Sequence, residues 1–406
     1  MSGPLDWLIS VDDHVIEPPN VWQDRVPKRD RDAAPRIIRD SDGEAWVYEG
    51  KRFPTTGLTA AAGKDKEEFS PEPVTFDEMR PGCYDSRARV EDMNRDGVLA
   101  SMCFPSFPRF CGQAFYDATD KSLGLRCVQA YNDWMVDAWC GEVPGRFIPL
   151  IIIPLWDPSA AAVEIERCAA KGARAITFSE NPADLGLPSI HDANRYWDPV
   201  FAAAAEAEMP ICTHIGSSSK LPSTAPDSPL IVTLTLGPMN AMRTCVDWVF
   251  GGVFDRFPTL KLCLSEGGIG WIPYVLERCD YTFDRQGAWA SRGNFHLDLA
   301  GGKIEADVTD SVQTRFTLPS ETFREHIFGC FIDDIHGADC IDSIGIDNIM
   351  IETDYPHTDS SWPNSIELAH KRLAGRSDED VYKILQGNAR RLFRFEPADP
   401  LKGRGA

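Results

Sequence analysis

The fold class this chain predicts is an α/β barrel of the (β/α)8, or TIM, type, and three observations carry the prediction. Short apolar runs recur eight times along the 406 residues. Each run is nearly continuous rather than alternating, the pattern of parallel strands buried on both faces. Longer segments with helical spacing separate them, and no glycine-rich phosphate loop follows the first run. That favours a closed barrel over a doubly wound sheet.

The runs occupy residues 7–11 (WLISV), 98–104 (VLASMCF), 147–153, 173–178, 210–214 (PICTH), 260–265, 326–332 and 348–353. Helices are expected at 86–96, 121–140, 158–171, 192–208, 240–254, 272–283, 365–374 and 378–393. Gly172 suits a helix C-terminus, and the last helix opens behind Ser377 with acids and closes with arginines, as the helix dipole prefers. Two segments exceed ordinary connections: about 17–85 after strand one, and 281–325 before strand seven. Each reads as a lid, a substrate wall, surface decoration or an oligomer contact. Residues 1–406 read as one barrel domain with these two insertions.

Hydrophobic residues make up 43% and charged residues 25%, ordinary for a soluble chain with a large core. Asp plus Glu is 62 against 41 Lys plus Arg, a net charge of −21. So acidic a surface repels nucleic acid and anionic lipid, which excludes both as partners. Twelve cysteines form no CxxC pair, so neither a zinc ribbon nor a disulfide scaffold is indicated, and they read as small buried hydrophobes. No basic leader opens the chain, and no apolar run reaches membrane-spanning length. A cytoplasmic protein with reduced thiols is expected.

In a barrel, chemistry collects at the C-terminal ends of the strands. There this chain places Asp12 and His14, then His214, Glu266 and Asp354, with His336 beyond strand seven and His357 beyond Asp354. Asp12 and His14 stand two apart, so both side chains can enter the barrel mouth together. Carboxylate oxygen and imidazole nitrogen are ligands for zinc, manganese and iron, so Asp12, His14, His214 and Asp354 are expected to hold one divalent metal. Glu266 reads as a general base, a further ligand, or a cap for the following helix. Adding Glu266 and His336 makes three imidazoles and three carboxylates, enough for two irons. His357 reads as a support or substrate contact, and Trp271 and Trp362 flank the candidate site loops.

The stretches VDDHVIEPPNVW, SEGGIGWIPYVLER, ETDYPHTDSSWP and GNARRLF resemble the amidohydrolase superfamily, in its amidohydrolase-2 branch of aminocarboxymuconate semialdehyde decarboxylase-like enzymes. The resemblance spans residues 11–393. It implies a metal-dependent barrel enzyme that hydrolyses or decarboxylates a small organic acid, amide or ring-cleavage product; in this chain Asp354 or Glu266 would move the proton. It also implies homo-oligomers such as dimers. This chain departs from the family pattern in three places. Asp12 stands where members often have histidine, strand four (ARAITFSE) lacks the metal-bridging lysine of many hydrolytic members, and Glu266 stands where decarboxylase-like members have histidine. The alternative on the same barrel is a di-iron monooxygenase that hydroxylates an unactivated carbon of a carboxylic acid or acyl-thioester. There Glu266 and His336 would hold the second iron.

Overall fold

The computed structural model describes residues 3–41, 43–290, 294–298, 303–307 and 317–398. Parallel strands are built from β1 (Leu8–Val15), β5 (Val98–Pro105), β6 (Phe147–Ile148), β7 (Leu150–Ile151), β8 (Ala175–Phe178), β9 (Ile211–His214), β10 (Leu262–Ser265), β13 (Ile327–Phe331) and β14 (Ile349–Ile351). Their order is β6-β5-β1-β14-β13-β10-β9-β8-β7. β6 and β7 are two halves of one stave interrupted at Pro149, which cannot donate to a ladder, so the order closes on itself as an eight-stave barrel. Every stave coincides with a predicted run.

Three-stranded β2 (Arg36–Asp40), β3 (Gly43–Tyr48) and β4 (Lys51–Phe53) form an antiparallel sheet inside the first long connection. The second connection holds an antiparallel pair, β11 (Asn294–Asp298) and β12 (Lys303–Asp307). It begins later than expected, because the helix Ile272–Ala290 continues past residue 283. The helix Pro319–His326 closes this connection, and residues 291–293, 299–302 and 308–316 of it lie outside the described residues.

Two further differences matter for the site. β1 runs on to Val15 rather than stopping at residue 11, because it pairs with β5 through Val15↔Pro105. And the helix Ile335–Ile344, absent from the expected set, follows β13. Its signal was present: Asp334 caps the Gly337 N–H, and Ala338, Ile341 and Ile344 recur at helical spacing on the buried face.

Inside the barrel, Ile9, Val11, Met102, Ile148, Ala175, Cys212, Cys263, Cys330 and Met350 pack with Leu392 and Phe393 of the last helix. A larger apolar layer lies between staves and outer helices. The interior is therefore filled, and only the C-terminal mouth is left for polar side chains. Among the described residues, no helix is long and apolar enough to cross a membrane.

Candidate metal centre

A one-residue slip in β1 sets up the site. Ser10 pairs with Ser101 and Asp13 with Cys103, so β1 spends three residues where β5 spends two. That extra residue is a bulge, and it shifts the phase of the strand. Ile9 and Val11 face the interior core, and Asp12 and His14 then also turn inward, to meet His214. His14 Nε2 lies 3.2 Å from His214 Nε2. Asp12 oxygens lie 3.7 Å from His14 Nε2 and 3.4 Å from His214 Nε2. Asp354 Oδ1 stands 3.2 Å from His14 Nε2, and Glu266 Oε2 stands 3.4 Å from His214 Nε2.

Glu266 and Asp354 reach these positions through left-handed backbone, at φ 58° and 50°. Non-glycine residues rarely adopt it, and such strain collects where side chains are held for function.

The donor set fits a divalent cation. Asp12 and Asp354 are buried, and all four of their carboxylate oxygens lack a hydrogen-bond partner. Orphaned buried carboxylates are costly unless something cationic meets them. Asp12, His14 and His214 offer ligand atoms within 4.8 Å of one another, as do His14, Asp354 and His357. Separations near 3 Å are what neighbouring ligands at about 2.1 Å from one ion require. The His214 Nδ1–H donates to the Ile215 carbonyl at 2.6 Å, which leaves Nε2 bare toward the cluster.

Electrostatics agree. Burial lowers the proton affinity of His14, and it brings His214 down to about 4, so both rings are neutral, the form that binds metal. Burial and the charges of Glu352, Glu266 and Asp354 push the Asp12 carboxyl up. Glu266 is pushed up by burial, Asp354 and Glu352. Burial works against ionised Asp354 too, but His357 and His14 outweigh it and hold the carboxyl below the usual range.

Several supporting residues escaped the sequence reading. Asp13, between the two inward residues, accepts from Ser101 Oγ, from Thr353 Oγ1 at 2.6 Å and from the Tyr355 N–H at 3.0 Å, tying β1 to its neighbours. Buried Arg89 donates to the His14 carbonyl at 2.6 Å. Glu352, two residues before Asp354, accepts from the Glu266 N–H at 3.0 Å and holds that strained residue. Phe110 stacks on the His214 ring at 4.2 Å and 11°. Only the identity of Glu352 as an acid in a strand run could have flagged it; Phe110 and Arg89 carried no signal.

Other expected residues divide. His357 stacks on His14 at 3.6 Å and 15°, and its Nδ1 lies 3.2 Å from Asp354. His336 is exposed on the helix Ile335–Ile344 and meets Cys340 Sγ at 3.6 Å, apart from the cluster. Trp271 donates to the Gly267 carbonyl next to Glu266. Trp362 lies under the Arg80 guanidinium and meets Tyr355, the neighbour of Asp354, edge-on.

A family model described as amidohydrolase matches residues 39–395, so β1 precedes the matched span. The gamma-resorcylate decarboxylase of Polaromonas sp. JS666 is 25% identical over 329 residues, covering 76% of this chain and 86% of that protein. The 2-amino-3-carboxymuconate-6-semialdehyde decarboxylase of Dictyostelium discoideum is 25% identical over 213 residues, covering 52% and 55%. Among solved structures, an amidohydrolase from Mycobacterium avium subsp. paratuberculosis K-10 matches with TM-score 0.72 at 21% identity, over 95% of this chain and 99% of that one. The 5-carboxyvanillate decarboxylase of Novosphingobium aromaticivorans, complexed with manganese and 4-hydroxy-3-methoxy-5-nitrobenzoic acid, matches with TM-score 0.64 at 17% identity, over 97% and 98%. From the matched span and these relatives, the chain belongs to the amidohydrolase family, in the branch that holds the resorcylate and aminocarboxymuconate semialdehyde decarboxylases.

Proposed function

We propose that this enzyme removes CO2 from a small aromatic carboxylic acid without oxidation, using one divalent metal held by Asp12, His14, His214 and Asp354. The observation that carries the reading is the pair of buried, unpartnered carboxylates facing two neutral imidazoles. Mixed carboxylate and imidazole donors suit manganese, the ion named with the Novosphingobium relative. The curated relatives named decarboxylases supply the substrate class. When bound, the metal would supply Lewis acidity, orienting the substrate's carboxylate and drawing charge from it.

The protein's own groups divide the rest of the work. Two carboxyls of one cluster, Glu266 beside His214 and Asp354 beside His14 and His357, are pushed in opposite directions, which assigns acid and counter-charge. Glu266, raised in proton affinity, holds a proton and gives it to the ring carbon that bears the carboxylate. The bond from that carbon to the carboxylate then breaks; CO2 departs, and the electron pair restores the ring. Asp354, held ionised, is a ligand and not a donor. Phe110, flat on His214, covers one face of that buried ring. Hydrolysis would instead need Glu266 ionised to take a proton from water, against the push of its neighbours. A di-iron centre would need His336, which stands apart from the cluster.

The test loads the protein with manganese and offers 2,6-dihydroxybenzoate and related hydroxybenzoates. CO2 release without dioxygen uptake, at about one metal per chain, is expected. Oxygen-dependent product with two irons, or cleavage of amides alone, would overturn the proposal.

A further inference from the structure

Glu180 stands two residues past the end of β8 (Ala175–Phe178), takes no part in the proposed chemistry, and is 3% exposed. Burying a carboxylate that deeply is costly unless donors meet it. Here they do, and all of them on one oxygen. Oε1 accepts from the Gly216 N–H at 2.9 Å, the Ser218 N–H at 3.3 Å, the Ser218 hydroxyl at 2.7 Å and the Asn240 side-chain amide at 2.9 Å. Oε2 has no hydrogen-bond partner. In return, the Glu180 N–H donates to Ser217 Oγ at 2.8 Å. The loop so gripped is the one that leaves β9 (Ile211–His214) directly after His214.

The Gly216 N–H belongs to the same peptide unit as the Ile215 carbonyl, which accepts the His214 Nδ1–H at 2.6 Å. A peptide is planar and conjugated, so an anion drawing on its N–H strengthens its carbonyl as an acceptor. Gly216 makes the double contact possible. Its φ is +83°, and a Cβ there would stand 3.1 Å from the Phe110 ring.

We propose that Glu180 is a positioning residue for His214, acting through the Ile215–Gly216 peptide. The contacts run from the Glu180 carboxylate to the Gly216 N–H, and from the Ile215 carbonyl to the imidazole. They fix the tautomer that leaves Nε2 bare, and they make that nitrogen a stronger donor to a cation. Ser218 and Asn240 hold the same carboxylate oxygen, but their bonds do not pass through the peptide beside the ring. The inference rests on the reading of Asp12, His14, His214 and Asp354 as ligands of one metal.

The experiment titrates manganese into the metal-free full chain at pH 8, above the value of about 7 to which burial pushes the Glu180 carboxyl. E180Q keeps an oxygen for the Gly216 N–H but no charge, and its manganese dissociation constant should rise about 10- to 100-fold. S218A removes a different donor from the same oxygen and should bind manganese as the wild type does. In the zinc-loaded protein, the proton on His214 Nδ1 should resonate further upfield in E180Q than in wild type or S218A. E180D keeps the charge but falls one methylene short of the Gly216 N–H; should E180Q misfold, E180D should show the same loss of affinity. Equal affinity in wild type and the Glu180 variant would overturn the proposal, as would an unmoved imidazole proton. An equal loss in S218A would also overturn it, by making Glu180 an anchor of the loop alone. A wild-type chain that takes up no manganese would instead overturn the one-metal reading, and this inference with it.

Discussion

Glu266 and Asp354 are the same kind of acid, at the ends of two staves of one barrel, and differ only in company. Glu266 has Asp354, Glu352 and burial against its charge; Asp354 has His14 and His357 in favour of it. In the proposed mechanism that difference casts Glu266 as the proton donor, and a substitution separates that role from metal binding. Glu266→Gln should retain its metal content and lose roughly 10²- to 10⁴-fold in turnover, the usual range for a positioned acid. Metal analysis beside steady-state rates checks this. Loss of metal would make Glu266 a ligand, and unchanged turnover would remove it from the chemistry. His336→Ala should change neither quantity, because that ring is exposed and meets Cys340.

Elements are stitched together by buried and half-buried acids that the proposed chemistry does not use. Asp334 accepts from the Ile269 and Gly270 N–H groups as well as from Gly337, locking the turn after Glu266 to the start of the helix Ile335–Ile344. Asp96, at the end of the helix Ser86–Asp96, accepts from the N–H and hydroxyl of Ser365 and pins the helix Ser365–Arg372. Burial pushes the Asp96 carboxyl up to about 7, above its ordinary 3.8. A raised carboxyl binds its proton more tightly folded than unfolded. Its contribution is complete below pH 4 and is lost as pH rises through 7. Asp96→Asn, which keeps an uncharged acceptor, should therefore flatten the decline in unfolding free energy between pH 5 and 8. Urea titrations of both proteins across that range decide it; parallel curves would show that Asp96 is ionised in the fold.

Across the whole molecule, acidity is concentrated at the mouth. Asp12, Glu266, Glu352 and Asp354 are packed together in a chain that already carries −21. Without a cation they repel one another, so metal binding should stabilise the fold as well as enable the chemistry. Manganese at a hundredfold above its dissociation constant should add about 2.7 kcal/mol to the unfolding free energy, and a chelator should reverse it. Asp12→Ala should erase most of that gain. If it keeps the full gain in thermal melts, the ion binds elsewhere.

Much of this was written along the chain. Staves buried on both faces must be apolar throughout, so eight runs announced the barrel, and the convergence of stave ends made Asp12, His14, His214 and Asp354 one group by residue type and position alone. What remained hidden depends on residues far apart in sequence. The β1 bulge is defined only by its pairing with β5, and the left-handed turn at Glu266 is held by Glu352, 86 positions away. Phe110 meets His214 only because the loop after β5 reaches the end of β9. His336 had the right chemistry, but a helix start turned it to solvent. Periodicity and residue type report which groups a fold can use; backbone phase and cross-chain contacts, set only when the sheet closes, decide which of them meet.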